Sequence, residues 1–245
     1  MKYIWIDIGT HYAQEYNSIF GSNLSFYLKL LKRILKIFIG KKFLKVNQLF
    51  DLINYRNKIR KRRNEFLIIF VEANPKIMSK KKVYLKADIA FNLAITDNQN
   101  IAISDNKFSK LYFANGDALS QGNSIYENKK NINVNNFIWT NSMQVGQFMK
   151  SVKKIFDSDF KDYKVFLRLN CEGVEDSIIY SAHEYFGNKL KFVLGSLKDV
   201  NEIKGNNASQ KLDSFLKEKN LRNIYFMHSV DSWHDSFKEI YNTII

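Results

Sequence analysis

Phe66-Leu67-Ile68-Ile69-Phe70-Val71 is apolar at every position and is bounded by Glu65 and Glu72. A half-solvated strand alternates apolar with polar residues. An unbroken apolar run of this length is the pattern of a parallel strand covered on both faces. Lys2 to Ile8 and Lys164 to Leu169 read as further buried strands, and Leu190 to Leu194 and Asn223 to Met227 as strands. Helical patterns lie among them at about Gln14 to Phe20, Asn23 to Ile39, Phe43 to Arg63, Ser142 to Phe156, Ser177 to Phe186 and Ser209 to Lys219. Ser22 or Asn23 is the expected cap of the second helix and Gly40 its break. Val83 to Phe113 reads as strand-rich, and Ala114 to Asn136 as a Gly- and Asn-rich loop. The alternation predicts an α/β fold with a mostly parallel central sheet and helices on both faces.

No internal repeat and no Pro-, Gly- or Ser-rich linker divides the 245 residues. The expectation is a single domain over 1–245, with a basic helical insertion at 22–64 between the first and second strands. Twenty Phe and 13 Tyr supply an ample core. The lone Cys171 excludes an intrachain disulfide and a zinc cluster of thiolates, and no metal site is read. A reducing, cytoplasmic setting fits this cysteine usage. No signal peptide is expected, because the chain opens directly into a strand-like segment. Leu24 to Ile39 is the most apolar stretch, but Lys29, Lys32, Arg33 and Lys36 interrupt it, so no membrane span is expected.

The net charge is +14, and its placement is uneven. Between Lys29 and Arg63 lie 13 basic residues and one acid, Asp51, so +12 of the charge belongs to one module. Lys29, Lys32, Arg33 and Lys36 share one helix face, and a wide apolar surface covers the others. Three readings stay open. The helices pack on the sheet or a second subunit; residues 24–63 touch a membrane interface or an anionic glycolipid at the inner membrane face; or Arg60-Lys61-Arg62-Arg63 binds nucleic acid. Nucleic acid stands last, because no recognition motif accompanies the cluster. The oligomeric state is not legible.

In doubly wound sheets, ligands bind beyond the carboxyl ends of the strands. Three strand ends here are polar: Asp7-Ile8-Gly9, Glu72, and Asn170-Cys171-Glu172. Gly9 permits a tight turn, and Asp7 can accept hydrogen bonds there. The full G-x-G-x-x-G is absent, which disfavours a nicotinamide oxidoreductase. Glu72 suits the two hydroxyls of a ribose. It follows Asp7 by 65 residues instead of the usual ~20 after the motif, and the basic helices account for the excess.

Ile6-Asp7-Ile8-Gly9, Val71-Glu72-Ala73-Asn74-Pro75 and Leu167-Arg168-Leu169-Asn170-Cys171-Glu172-Gly173-Val174-Glu175, in this order, resemble the FkbM-type methyltransferase family. Gly122-Asn123-Ser124-Ile125 resembles the family's Gly-Ser-Ser-hydrophobic element. The resemblance spans nearly the whole chain and rests on motif order. It implies a Rossmann-like class I methyltransferase fold and S-adenosylmethionine as cofactor. It also implies methylation of a hydroxyl on a sugar, polysaccharide or glycolipid. On this reading Asp7, Gly9 and Thr10 hold the methionine part, Glu72 holds the ribose, Asn170 lies at the cofactor, and Glu172 faces the acceptor as first candidate base. His11 and then His183 stand behind it. Three residues depart from the family: Ala13 where many relatives carry Gly, Asn170 where Asp is common, and Arg168 for a frequent Lys. Asn92-Leu93-Ala94-Ile95 and Ile101-Ala102-Ile103-Ser104-Asp105 both suit the adenine side. The alternative function is a non-catalytic Rossmann-like module that holds an acidic partner or membrane surface with its basic helices.

Overall fold

The structure is a computed structural model that describes residues 1–37, 46–80, 82–97 and 108–245. In chain order the strands are β1 (Lys2–Ile8), β2 (Phe66–Val71), β3 (Ile89–Phe91), β4 (Ala94–Thr96), β5 (Phe108–Ala114), β6 (Ile132–Gln144), β7 (Tyr163–Leu169), β8 (Leu190–Gly195) and β9 (Arg222–Ile224). Six of them form one parallel sheet in the order β3-β2-β1-β7-β8-β9. Successive strands run outward on one side of β1 and then on the other, as in doubly wound nucleotide-binding sheets. The topological switch point therefore lies between β1 and β7. Register sharpens this: Ile8 pairs with Val71 on one side and with Leu169 on the other. The chain leaves all three strands at one height.

The helices are α1 (Gln14–Phe20), α2 (Asn23–Ile37), α3 (Val46–Lys61), α4 (Pro75–Lys80), α5 (Val145–Asp159), α6 (Glu175–Phe186), α7 (Lys198–Lys204), α8 (Asn206–Glu218) and α9 (Trp233–Ile244). Side chains alternate across each strand, so the two sheet faces carry different cores. Ile4, Ile6 and Ile8 join Val165, Leu167 and Leu169 against α5, α6 and α8. Tyr3 and Trp5 join Phe66, Phe70, Phe166 and Phe192 against α1, α2, α3 and α9. This second face is aromatic: Phe166 stacks on Phe192 at 4.9 Å and on Tyr3 at 5.8 Å. Ser22 Oγ accepts the Ser25 amide at 3.2 Å, which makes Ser22 the cap of α2.

Several boundaries differ from the sequence reading. The stretch 114–136 is not loop throughout: its end opens the long strand β6, which pairs antiparallel with β5 and parallel with β4 in a second, three-stranded sheet. Its asparagines hid this strand; Asn133 and Asn141 are held in it by pairing with Phe113 and Phe108 of β5, which overrides their poor strand preference, while β4 pairs only with Ser142 to Gln144. The strand extends through Gln144, so the helix expected from Ser142 starts at Val145. Within Val83 to Phe113, a 3-10 turn at Val83–Lys86 comes before the strands. The last strand stops at Ile224, and Ser232 Oγ and Trp233 Nε1 then bind the Met227 carbonyl and hold the chain in a bend. α4, α7 and α9 add three helices to those the sequence pattern predicts. Gly40, the start of the expected helix at Phe43, and Ile101 to Asp105 lie outside the described residues.

Candidate functional site

The turn after β1 admits only glycine. Gly9 has φ +73°, and a Cβ there would strike the carbonyl oxygen of Asn170. The Gly9 and Thr10 amides both donate to the Val71 carbonyl, at 2.9 and 3.2 Å. Thr10 Oγ1 donates to the Asp7 carbonyl at 2.8 Å. This stitches the loop to β2. His11 and Ala13 then take left-handed backbone at φ 49° and 52°, a conformation that costs an L-residue roughly 1–2 kcal/mol.

At the end of β2, Glu72 turns its carboxylate back over this loop. Oε2 accepts the His11 amide at 2.6 Å, and Oε1 accepts the Asn74 amide at 2.9 Å. Burial pushes the Glu72 carboxyl above its ordinary pKa, and the two amides oppose that rise. Each oxygen keeps a lone pair beyond its amide bond, so the group retains capacity for a ligand's hydroxyls.

After β7 the loop folds over a carboxylate of its own. Glu175, in the first turn of α6, accepts the Cys171 and Glu172 amides at 2.8 Å each and the Gly173 amide at 2.8 Å. Three successive amides around one anion form a filled nest. Burial nevertheless pushes Glu175 up to about 7. The nest holds Glu172 at φ 60°. The Glu172 side chain pairs with buried Lys129. Burial raises the Glu172 pKa, and Lys129 pulls it back down.

Residues 115–131, between β5 and β6, cross above these loops. Tyr12 Oη donates to the Leu119 carbonyl at 3.1 Å, and Ser124 Oγ donates to the Glu172 carbonyl at 2.8 Å. Under the crossing lies a cleft of about 640 Å³, counting its open mouth. Its polar side is Gly9, His11, Glu72, Asn170 and Glu172; its apolar side is Ile77, Leu93, Ile95, Leu111 and Ile125. Burial lowers the His11 pKa and keeps the ring neutral near pH 7. Neither ring nitrogen reaches a partner at hydrogen-bonding geometry, although the carbonyls of Leu119 and Ser120 lie near.

Five of the eight residues singled out from the sequence thus meet at one cleft, together with Gly122, Asn123 and Ile125 of the glycine element. Asp7 and Thr10 do not line it. Asp7 is fully buried below the turn, where Oδ1 lies 3.0 Å from Arg168 Nη1. The same Nη1 donates to the Gly9 carbonyl at 2.9 Å, and Nη2 lies 2.8 Å from Glu15 Oε2. Asp7 therefore acts on the turn through Arg168. His183 packs its ring edge-on against Phe215, away from the cleft. Leu93, Ala94 and Ile95 line the cleft. Sequence reasoning gave no role to Lys129, 43 residues from its partner, or to Glu175, whose position in the first helical turn is the signal that would have marked it as a cap.

No family model, curated protein or solved structure matches the chain. Among the described residues, no group of three or more His, Cys, Asp or Glu side chains converges as a metal site would.

Proposed function

We propose that the cleft binds S-adenosylmethionine and that the chain methylates a hydroxyl, on a sugar, polysaccharide or glycolipid, as the resemblance to FkbM-type methyltransferases implies. One observation carries this reading: Gly9, Glu72 and Glu172, from three separate strand ends, line a single cleft at the switch point of the sheet.

The residues present suit the cofactor. Glu72 offers spare lone pairs to a ribose diol, the Gly9 turn lets a ligand approach the backbone, and Leu93, Ile95, Leu111 and Ile125 offer apolar walls to an adenine. S-adenosylmethionine supplies a methyl group already activated by its sulfonium. The chain has to align an acceptor oxygen and take its proton. Glu172 is the first candidate to accept that proton. Its burial raises its basicity, and Lys129 favours its ionised form. His11, neutral and in reach of the same cleft, is the second.

A second reading, a Rossmann-like binding module without catalysis, is favoured by the pairing of Glu172 with Lys129, which engages the candidate base. Titration with S-adenosylmethionine and its demethylated product separates both readings from a chain with no cofactor site. Under the enzyme reading, both ligands raise the melting temperature by mass action, and a hydroxylated acceptor is methylated. Absence of heat in calorimetry with either ligand at millimolar concentration removes the cofactor reading. Binding without transfer to any glycan acceptor favours the module.

A further inference from the structure

α2 is clamped to the body by one side only. Phe26 and Leu30 are buried, Phe26 stacks on Trp233 at 5.6 Å, and Arg33 Nε donates to Asp231 at 2.7 Å. Lys29 Nζ lies 5.7 Å from the Trp233 ring. These contacts fix the helix against rolling. They leave Leu24, Leu28, Leu31 and Leu35 exposed at 73, 49, 52 and 56%. At the helical repeat these four lie within ~60° of one another, so they form one leucine stripe aimed at solvent. Packing accounts for the opposite face of the helix and not for this one.

The charge around the stripe selects what covers it. Lys32 is exposed on its flank, and Arg60 donates to Asn23 at the first turn of the same helix. The only acid in the whole module is Asp51. A second copy laid on the stripe would bring one strongly cationic module against another, a like-charge contact that disfavours association. An anionic bilayer surface accommodates both features: leucines enter the acyl boundary while lysine and arginine meet head groups. No helix among the described residues is long and apolar enough to cross a membrane. We infer that α2 is a peripheral membrane anchor, docking through Leu24, Leu28, Leu31 and Leu35 onto a surface rich in anionic lipid. The anchor is independent of what the cleft binds.

Co-sedimentation with vesicles tests it, using the full chain. Vesicles with about one third phosphatidylglycerol bring the protein down, pure phosphatidylcholine vesicles do so weakly, and added salt releases it. Leu28→Glu with Leu31→Glu lowers the bound fraction by roughly tenfold or more, since each leucine loses the gain of burial and gains a repelled charge. Leu28→Ser with Leu31→Ser gives a smaller drop, and unchanged circular dichroism shows that both variants fold. No sedimentation with anionic vesicles overturns the inference. So does binding that both leucine variants leave intact, which would assign the contact to surface charge alone. A concentration-dependent dimer in light scattering, dissociated by the same substitutions, would assign the stripe to a second copy and equally overturn it.

Discussion

Arg168 Nη1 lies 3.0 Å from Asp7 Oδ1, with both side chains sealed from solvent below the turn at Gly9. Arg168 also meets Glu15, so one guanidinium compensates two buried carboxylates. Burial still pushes Asp7 up to about 6. Arg168→Met leaves both acids without their cation and lowers stability by about 3–5 kcal/mol. Urea denaturation measures this. A loss below about 1 kcal/mol would mean that the triad does not hold the turn.

Gly9 and Ala13 both sit in left-handed backbone of the same loop, yet their substitutions should differ. Gly9→Ala combines a strained φ with a collision against the backbone of Asn170, which cannot swing aside. A cost of about 2–4 kcal/mol follows. Ala13→Gly relieves strain, but it loses a buried methyl and gains unfolded-state entropy. These terms offset within about 1 kcal/mol. Thermal melts of the two variants check the contrast, and equal effects would refute the account of the loop.

Glu175 gives a pH signature. Its pKa is about 7 in the fold and 4.5 as its ordinary value. The folded state thus binds the proton more tightly. The favourable contribution is complete below the unfolded pKa and is lost as pH rises through about 7. Glu175→Gln lacks that titration. The variant should therefore gain on the native protein as pH rises from about 5 to 8, by at most roughly 3 kcal/mol, on top of a constant loss from one missing acceptor oxygen. Melting temperatures of both proteins across this range decide it. A pH-independent difference would place the Glu175 carboxyl at its ordinary value.

Glu72→Ala and Glu172→Gln divide binding from chemistry. Glu72 reaches the cleft and orders the His11 amide. Its removal should weaken S-adenosylmethionine at least about tenfold, the worth of one charged hydrogen-bond acceptor. Glu172→Gln should leave that affinity within about threefold and reduce turnover by about a hundredfold or more. Calorimetry and a methyl-transfer assay read the two effects separately.

The sequence exposed what local pattern controls. β2 was legible because both of its faces are buried, which writes a continuous apolar run, and β1 and β7 carry the same pattern broken only by Lys2 and Asp7 and by Lys164 and Arg168. With those strands came the heights at which Gly9, Glu72, Asn170 and Glu172 had to emerge. β6 was not legible, because its asparagines disfavour a strand and what holds it is the pairing with β5 and, at Ser142 to Gln144, with β4. Nor was the fate of the charges. Asp7 and Glu72 look alike as acids at strand ends, but Asp7 falls on the aromatic face, where Arg168 and α1 bury it, while Glu72 follows the last residue of β2 and can turn over the loop. Pairings such as Lys129 with Glu172 span separate elements and leave no spacing to read.

That last pairing sets how the reaction should depend on pH. Two influences act on Glu172: burial raises its pKa, and Lys129 lowers it. Lys129→Met removes the second and leaves the first unopposed, so the carboxyl holds its proton to higher pH. If Glu172 is the base, the acid limb of the rate profile moves upward, and activity falls more at about pH 6 than at about pH 8. Lys129→Arg keeps the charge and should restore most of the profile. Affinity for S-adenosylmethionine is the control, because Lys129 does not line the cleft. An acid limb that stays in place in Lys129→Met but disappears in His11→Gln would transfer the proton-accepting role to His11, whose pKa burial already holds below its ordinary value.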